Sequence, residues 1–391
     1  MTEVRAGHDW DPRAPQVVAD QLAAYDAMRG RCPVAHSDYL GWTLFRHDDV
    51  AAAARDHDTF SNVVSTRVSV PNGMDPPEHT EHRRINERYF TPERVAALEP
   101  TVRDIAARLV ADLPRGGPTE VMDPLARAFA LRVQSAFMGW PAELEGPLRD
   151  WTLRNHRASL SRDPEALTDV ALEFDGYIRT EIAARRRTAD PASVAGLGAG
   201  PGDVTAQLLT ERVDGRPLTD EELVSLIRNW TVGELSTIAA CVGILVHALA
   251  ERPEVQALLR TDRTAVPVAV DELLRIHPPL VANRRRATRE VEIGGRRIPA
   301  GAPVTLLWAS ANRDETVMGD PDEFRLDRDP ADNLLYGTGI HVCPGAPLAR
   351  LELRVLVEEL LAATEHLGPV EVATRAQYPA SGWTALMVGV R

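Results

Sequence analysis

The sequence predicts a mainly α fold with a small β region, and three observations predict it. Apolar residues recur at helical spacing over six long segments, strand-like alternation occurs only in short pieces, and Pro and Gly stand mostly as single residues between helical patterns. With 44% hydrophobic and 26% charged residues, the 391-residue chain has the composition of a globular protein able to bury a sizeable core. It is expected to form one large unit spanning residues 1–391.

The helical patterns lie at 93–113, 124–138, 165–187, 219–250, 265–276 and 346–364. Strands are expected at 41–45, at 291–293 paired with 296–298 across Gly294-Gly295, and at 304–308. The small, Gly/Pro-rich stretch 188–203 reads as a surface loop. In the 219–250 helix, Thr219 and Glu222 form a capping box and Arg252-Pro253 supplies the stop. Roughly 30 residues make it about 45 Å long, enough to cross a domain. Its middle carries Gly233-Glu234-Leu235-Ser236-Thr237, where a core helix prefers Ala or Leu, so a kink or a polar notch is expected there.

Subtracting 57 acidic from 44 basic residues leaves a formal charge of −13, which argues against nucleic acid as a partner. Every basic residue is Arg, which excludes lysine Schiff-base and P-loop chemistry. Cys32, Cys241 and Cys343 are too few and too far apart for a disulfide framework, so a reducing, cytoplasmic compartment is expected. The N-terminus lacks an apolar signal core, and the longest strongly apolar run, 238–250, reads as a buried helix with no membrane role.

The most informative segment is Tyr336-Gly337-Thr338-Gly339-Ile340-His341-Val342-Cys343-Pro344-Gly345. Its glycines permit a tight turn, and Cys343 lies just before a helix whose N–H groups and dipole stabilise a thiolate. This run resembles the signature of the cytochrome P450 family of haem-thiolate monooxygenases: an aromatic residue, Gly-x-Gly-x-His/Arg-x-Cys-x-Gly, then a helix. Tyr336 stands where that family usually has Phe. The resemblance implies the P450 fold, haem b as cofactor, Cys343 as the axial iron ligand, and Tyr336, Gly337 and Gly345 shaping the loop around it.

Other segments fit the same family in chain order. Glu272 and Arg275 match its Glu-x-x-Arg pair, one helical turn apart. The resemblance implies a third Arg in this network. The usual position holds Glu323, leaving Arg325 or Arg328 to complete it. The run Asp75-Pro76-Pro77-Glu78-His79-Thr80-Glu81-His82-Arg83 and the segment Arg285-Arg286-Ala287-Thr288 imply four partners for the haem propionates, namely His79, Arg83, Arg285 and His341.

By the same resemblance the central helix faces the iron. The family's Ala/Gly-Gly-x-Asp/Glu-Thr places Thr237 at the alcohol and Ser236 where an acid is usual, with the acid displaced to Glu234. Thr237 is expected to hydrogen-bond dioxygen while Ser236, Glu234 and water pass protons. The residues around Trp230, Cys32 and Pro71 resemble the self-sufficient bacterial subclass, in which the haem domain precedes a reductase carrying FMN and a 2Fe-2S cluster. No such cysteine cluster follows Cys343, so the chain is expected to be the haem domain of a longer protein, receiving electrons from NAD(P)H through a reductase outside it.

By family position the substrate pocket is lined by the 62–74 loop with Val70, by 151–160, by Asn229, Val232 and Gly233, by 280–283 with Val281, and by the 381–383 turn with Trp383. These residues are mostly apolar or small and imply a small apolar organic substrate, hydroxylated or oxidatively dealkylated with O₂. The rival readings are a peroxygenase driven by H₂O₂, which the displaced Glu234 keeps open, and a non-catalytic haem sensor. A structural zinc reading of His341 and Cys343 lacks two further ligands.

Overall fold

The computed structural model describes residues 9–161, 163–188 and 203–391. The loop read at 188–203 lies, apart from its ends, outside the described residues. All six long helices form: Pro92–Ala111, Ala128–Met138, Pro164–Thr188, Asp220–Glu251, Val266–Ile276 and Ala346–Ala363. The pattern at 124–138 begins as the wider π turn Met122–Arg127, in which Ala126 N–H donates to Val121 O, before α geometry takes over.

The central helix Asp220–Glu251 is the axis of the main core. Its capping box closes as expected: Glu222 N–H donates to Thr219 Oγ1 at 3.2 Å, and Thr219 N–H donates to Glu222 Oε2 at 2.7 Å. The helix runs without a break through the Gly233 to Thr237 cluster. Length and apolar composition would let it cross a membrane, but its apolar side chains are buried among the other helices, as a core helix requires.

The β region is larger than expected. A five-stranded sheet runs Val34–Ser37, Gly41–Leu44, Pro303–Leu306, Asn283–Ala287, Phe60–Ser61, with Gly41–Leu44 parallel to Pro303–Leu306 and the other pairs antiparallel. The strand expected at 304–308 stops at Leu306, because Leu307 O accepts from Ser310 and Ala311 N–H and turns the chain into a short helix. The hairpin Val291–Ile293 with Arg296–Ile298 forms in the expected register, with Gly294 and Gly295 at φ 56° and 74° as a type I′ turn demands. In a second sheet Trp383–Val390 lies between Leu367–Arg375 and Pro118–Glu120, antiparallel to both.

Glu272 and Arg275, with 5% and 1% of their side chains exposed, form a two-pronged ion pair at 2.7 and 2.9 Å. The third member is Arg328, whose Nε donates to Glu272 Oε1 at 2.8 Å. Arg325 contributes only its backbone N–H to the same oxygen, at 3.2 Å. Arg275 also donates to Asn312 O and Pro321 O, so the network ties helix Val266–Ile276 to the irregular segment leading to the cysteine loop. Removing one partner of a buried pair leaves an uncompensated charge. Glu272→Gln is therefore expected to lower unfolding stability by about 3–5 kcal/mol, read as a shift in urea midpoint.

Candidate functional site

The cysteine loop is built by backbone geometry. Gly337 and Gly339 take φ 72° and 77°, and a Cβ at Gly339 would stand 2.5 Å from Ala54 O, so only glycine fits that approach. Cys343 N–H donates to Tyr336 O at 2.9 Å, closing the loop, and Gly345 caps helix Ala346–Ala363. The Tyr336 ring lies 4.4 Å beneath the Arg350 guanidinium, and its hydroxyl reaches Asp271 at 3.4 Å. Cys343 lies deep in the fold yet presents accessible surface. The helix N–H groups of Gly345 and Ala346 do favour its thiolate, but burial outweighs them and pushes the thiol up from its ordinary value.

Beside it stand three nitrogen groups that make no hydrogen bond to a carboxylate among the described residues. The His79 and His341 rings meet at 4.3 Å between centroids, and Nε2 of each is buried without a partner. Burial first, then neighbouring His79, Arg285 and Arg83, pull His341 down to about 3. Burial likewise lowers His79. Arg285 is 6% exposed, donates only to the adjacent Arg284 O, and is brought down to about 10 by burial. Arg83, the fourth expected partner, is already engaged: it donates to Glu87 Oε1 at 3.0 Å and to Val342 O at 2.6 Å, which holds it beside the cysteine loop. Orphaned donors of one sign, converging near a sulfur, are what a group with two carboxylates and a metal centre would satisfy. The residues present therefore fit haem b.

The central helix presents a different face. Gly233 and Ser236 are exposed although the helix is otherwise largely buried, Thr237 is half-buried beside them, and a Cβ added at Gly233 would meet nothing within 4 Å. Ser236 Oγ donates back to Val232 O at 2.7 Å, while Val232 packs against the core. Glu234 turns away from this open stripe: its Oε1 is buried, and its neighbour is Glu352 of the post-cysteine helix. Burial raises Glu234 to about 7.

Among the expected pocket residues, Asn229 is a clasp. Its Nδ2 donates to Val70 O at 2.9 Å and Ser69 Oγ at 3.2 Å, while Ser225 Oγ accepts from Val70 N–H at 2.8 Å and donates to Val68 O at 3.0 Å. Val70 is thereby fully buried and offers no surface to a pocket. Two further placements differ from expectation. Trp383 does not sit in a turn but opens the strand Trp383–Val390, stacking on His247 at 4.4 Å under the Arg375 guanidinium. His247 is ten residues past Thr237, or about 15 Å along the helix. Val281 packs with Tyr25, Phe45 and Leu307 and, with Trp383, lines a small cleft there instead of the Gly233 face. Sequence reasoning missed Glu352, although its place between Leu348 and Leu356 on an apolar helix face was a visible signal.

The family model for cytochrome P450 matches residues 157–374. The chain is 33% identical to erythromycin C-12 hydroxylase of Saccharopolyspora erythraea over 88% of each chain. It is 33% identical to cyclomarin C epoxidase CymV of Salinispora arenicola, over 85% of this chain and 86% of that one. Both relatives are of about this chain's length, so the resemblance to the subclass with a fused FMN and 2Fe-2S reductase finds no support in them. The structure of a mutant of P450 EryK in complex with erythromycin B superposes with a TM-score of 0.84 at 30% identity, covering 95% of this chain and 96% of that one. With the orphaned donors around Cys343 and the open stripe at Gly233, these likenesses lead to one conclusion: the chain belongs to the cytochrome P450 family.

Proposed function

We propose that this haem-thiolate monooxygenase uses Cys343 as its iron ligand and inserts one oxygen atom into a small apolar organic molecule by hydroxylation or oxidative dealkylation. The observation that carries the reading is the pairing of Cys343, the unpartnered Nε2 atoms of His79 and His341 and the buried Arg285 with an open helix stripe at Gly233, Ser236 and Thr237. When bound, haem supplies an iron cation whose electron-rich thiolate ligand favours O–O cleavage. The residues around it divide the remaining work. His79, His341 and Arg285 would hold the propionates, and the Tyr336 to Gly345 loop fixes the sulfur. Gly233 leaves room for substrate, Thr237 would supply a hydrogen bond on that face, and Glu234 with Ser236 would supply protons there.

Relatives named as a hydroxylase, an epoxidase and an N-oxygenase support oxygen insertion into organic molecules generally. Electrons come from NAD(P)H through a reductase partner, which carries any FMN or 2Fe-2S centre. We place the enzyme in the cytoplasm as a single haem-binding unit with no nucleic-acid or membrane role. The peroxygenase reading keeps one supporting observation, the withdrawal of Glu234 from the open stripe, and predicts product from H₂O₂ alone. A sensor would need a sixth protein ligand, whereas the stripe offers Asn229, Gly233, Ser236 and Thr237.

The dithionite-reduced protein under carbon monoxide is expected to give the red-shifted Soret band of thiolate ligation, and Cys343→His to lose it. A haem spectrum without the shift in the wild type would overturn the assignment of Cys343. Thr237→Ala is expected to cut product turnover by about 100-fold or more, with electrons diverted to peroxide. Unchanged product per NAD(P)H consumed would remove Thr237 from the role.

A further inference from the structure

The cleft near the C-terminal end of the central helix contains none of the residues of the cysteine loop. Ile244 and Val281 give it an apolar wall, and His247, His277, Arg375 and Trp383 line it beside them. Its volume of about 60 Å³ leaves room for roughly four waters or one acetate ion. Three other polar side chains at the cleft are taken up in holding its walls together. Gln21 Nε2 donates to Ala376 O at 3.0 Å while its Oε1 accepts from Tyr25 Oη at 3.0 Å, and Ser381 Oγ donates to Pro278 O at 2.7 Å. The remaining four differ. The side chains of His247, His277, Arg375 and Trp383 make no hydrogen bond and no ion pair among the described residues. Ring packing alone places three of them, with His247 against Trp383 at 4.4 Å and the Arg375 guanidinium over Trp383 at 4.8 Å.

We propose that this cleft is a binding site for a small carboxylate, in which the Arg375 guanidinium and the Trp383 N–H donate to the carboxylate oxygens while Ile244 and Val281 face its carbon end. The free polar groups dictate the class of ligand. A guanidinium and an indole N–H can only donate, and each neutral imidazole adds one further donor, so the occupant must be rich in acceptors. A planar carboxylate takes two parallel hydrogen bonds from a guanidinium, which a spherical halide cannot do. The local field has the matching sign. Burial first, then Arg252, Arg313, His247 and Arg375, pull His277 down to about 4, and every one of those charged neighbours is basic. Arg313 is already engaged with Asp26 and Asp322, but Arg375 is not. Burial also lowers His247, with Glu251 acting on it against Arg375 and Arg252. The site rests on no assignment at Cys343 or Thr237, since His247 lies about 15 Å beyond Thr237 along the helix.

The test is saturation-transfer NMR of sodium acetate over the haem-loaded, full-length protein, at an ionic strength held constant with sodium chloride. Saturable transfer is expected, with a dissociation constant on the order of 1 mM for so small a ligand. Arg375→Gln and Trp383→Phe are each expected to weaken binding about 10-fold, because each removes a hydrogen bond to a charged group. Trp383→Phe keeps a ring beside His247 and loses only the N–H. Both positions are at least partly exposed, and circular dichroism checks that the variants fold. Unchanged affinity in two folded variants would overturn the proposal. So would acetate that shows no saturable transfer on the wild type, an arm that needs no variant. Displacement of acetate by equal concentrations of extra chloride would mean a merely positive surface and would overturn it as well. A haem absorption band that shifts in step with acetate occupancy would place the anion at the iron, with the same consequence.

Discussion

Burying the Glu272 carboxylate inside this protein would cost several kcal/mol were its lone pairs not filled, and much of the architecture follows from how they are filled. Arg275 grips it from the same helix, Arg328 arrives from the segment before the cysteine loop, and the Arg325 N–H adds a third donor. The neighbouring Asp271 faces the other way, accepting from Tyr336 Oη and from Arg350 Nε at 2.9 Å, while its carbonyl takes a bond from Asn333. One short helix thus sets both flanks of the loop that carries Cys343. The loop's own hydrogen bonds are few, and its position is imposed from outside.

Electrostatically, the two sides of Cys343 are opposites. Toward His79, His341 and Arg285 the protein concentrates nitrogen donors, with Asp75 as the acid that acts on His79 and Arg285, and burial lowers the proton affinity of each. Toward Glu234 and Glu352 it concentrates acid without base. The first side is left short of acceptors, which an anionic ligand would supply, and on the second burial pushes both carboxyls up from the ordinary carboxylate range. The sulfur between them is subject to both influences, with Arg83 favouring its thiolate and Glu234 opposing it.

What the sequence disclosed depended on the range of the interaction responsible. The six helices, the capping box at Thr219 and the Gly294-Gly295 hairpin are set by neighbours within a turn or two, and all stand near their expected bounds. The cysteine loop and the Glu272 pair were legible because each is one contiguous motif. Val70, Val281 and Trp383 are placed by partners far along the chain, namely Ser225, Ala309 and His247. No local pattern encodes those encounters, so position in a family alignment misjudged what these side chains face. Arg328 was one of two open alternatives, and only the path of the backbone past Met318 and Asp320 decided between them.

The clasp at Ser225 and Asn229 sets a threshold for anything that enters past the 62–74 loop. Four hydrogen bonds from Ser225 and Asn229 join Val68, Ser69 and Val70 to the central helix. At about 1 kcal/mol net apiece they hold the loop shut by a factor on the order of 100 to 1,000. A ligand taking that route binds only the rare released conformer, and its apparent affinity is weakened by the same factor. Apolar guests that bury enough surface to offset that penalty are retained, whereas small polar ones are not. For a ligand that takes this route, selection would begin with the hydrogen bonds that Ser225 and Asn229 make to the loop.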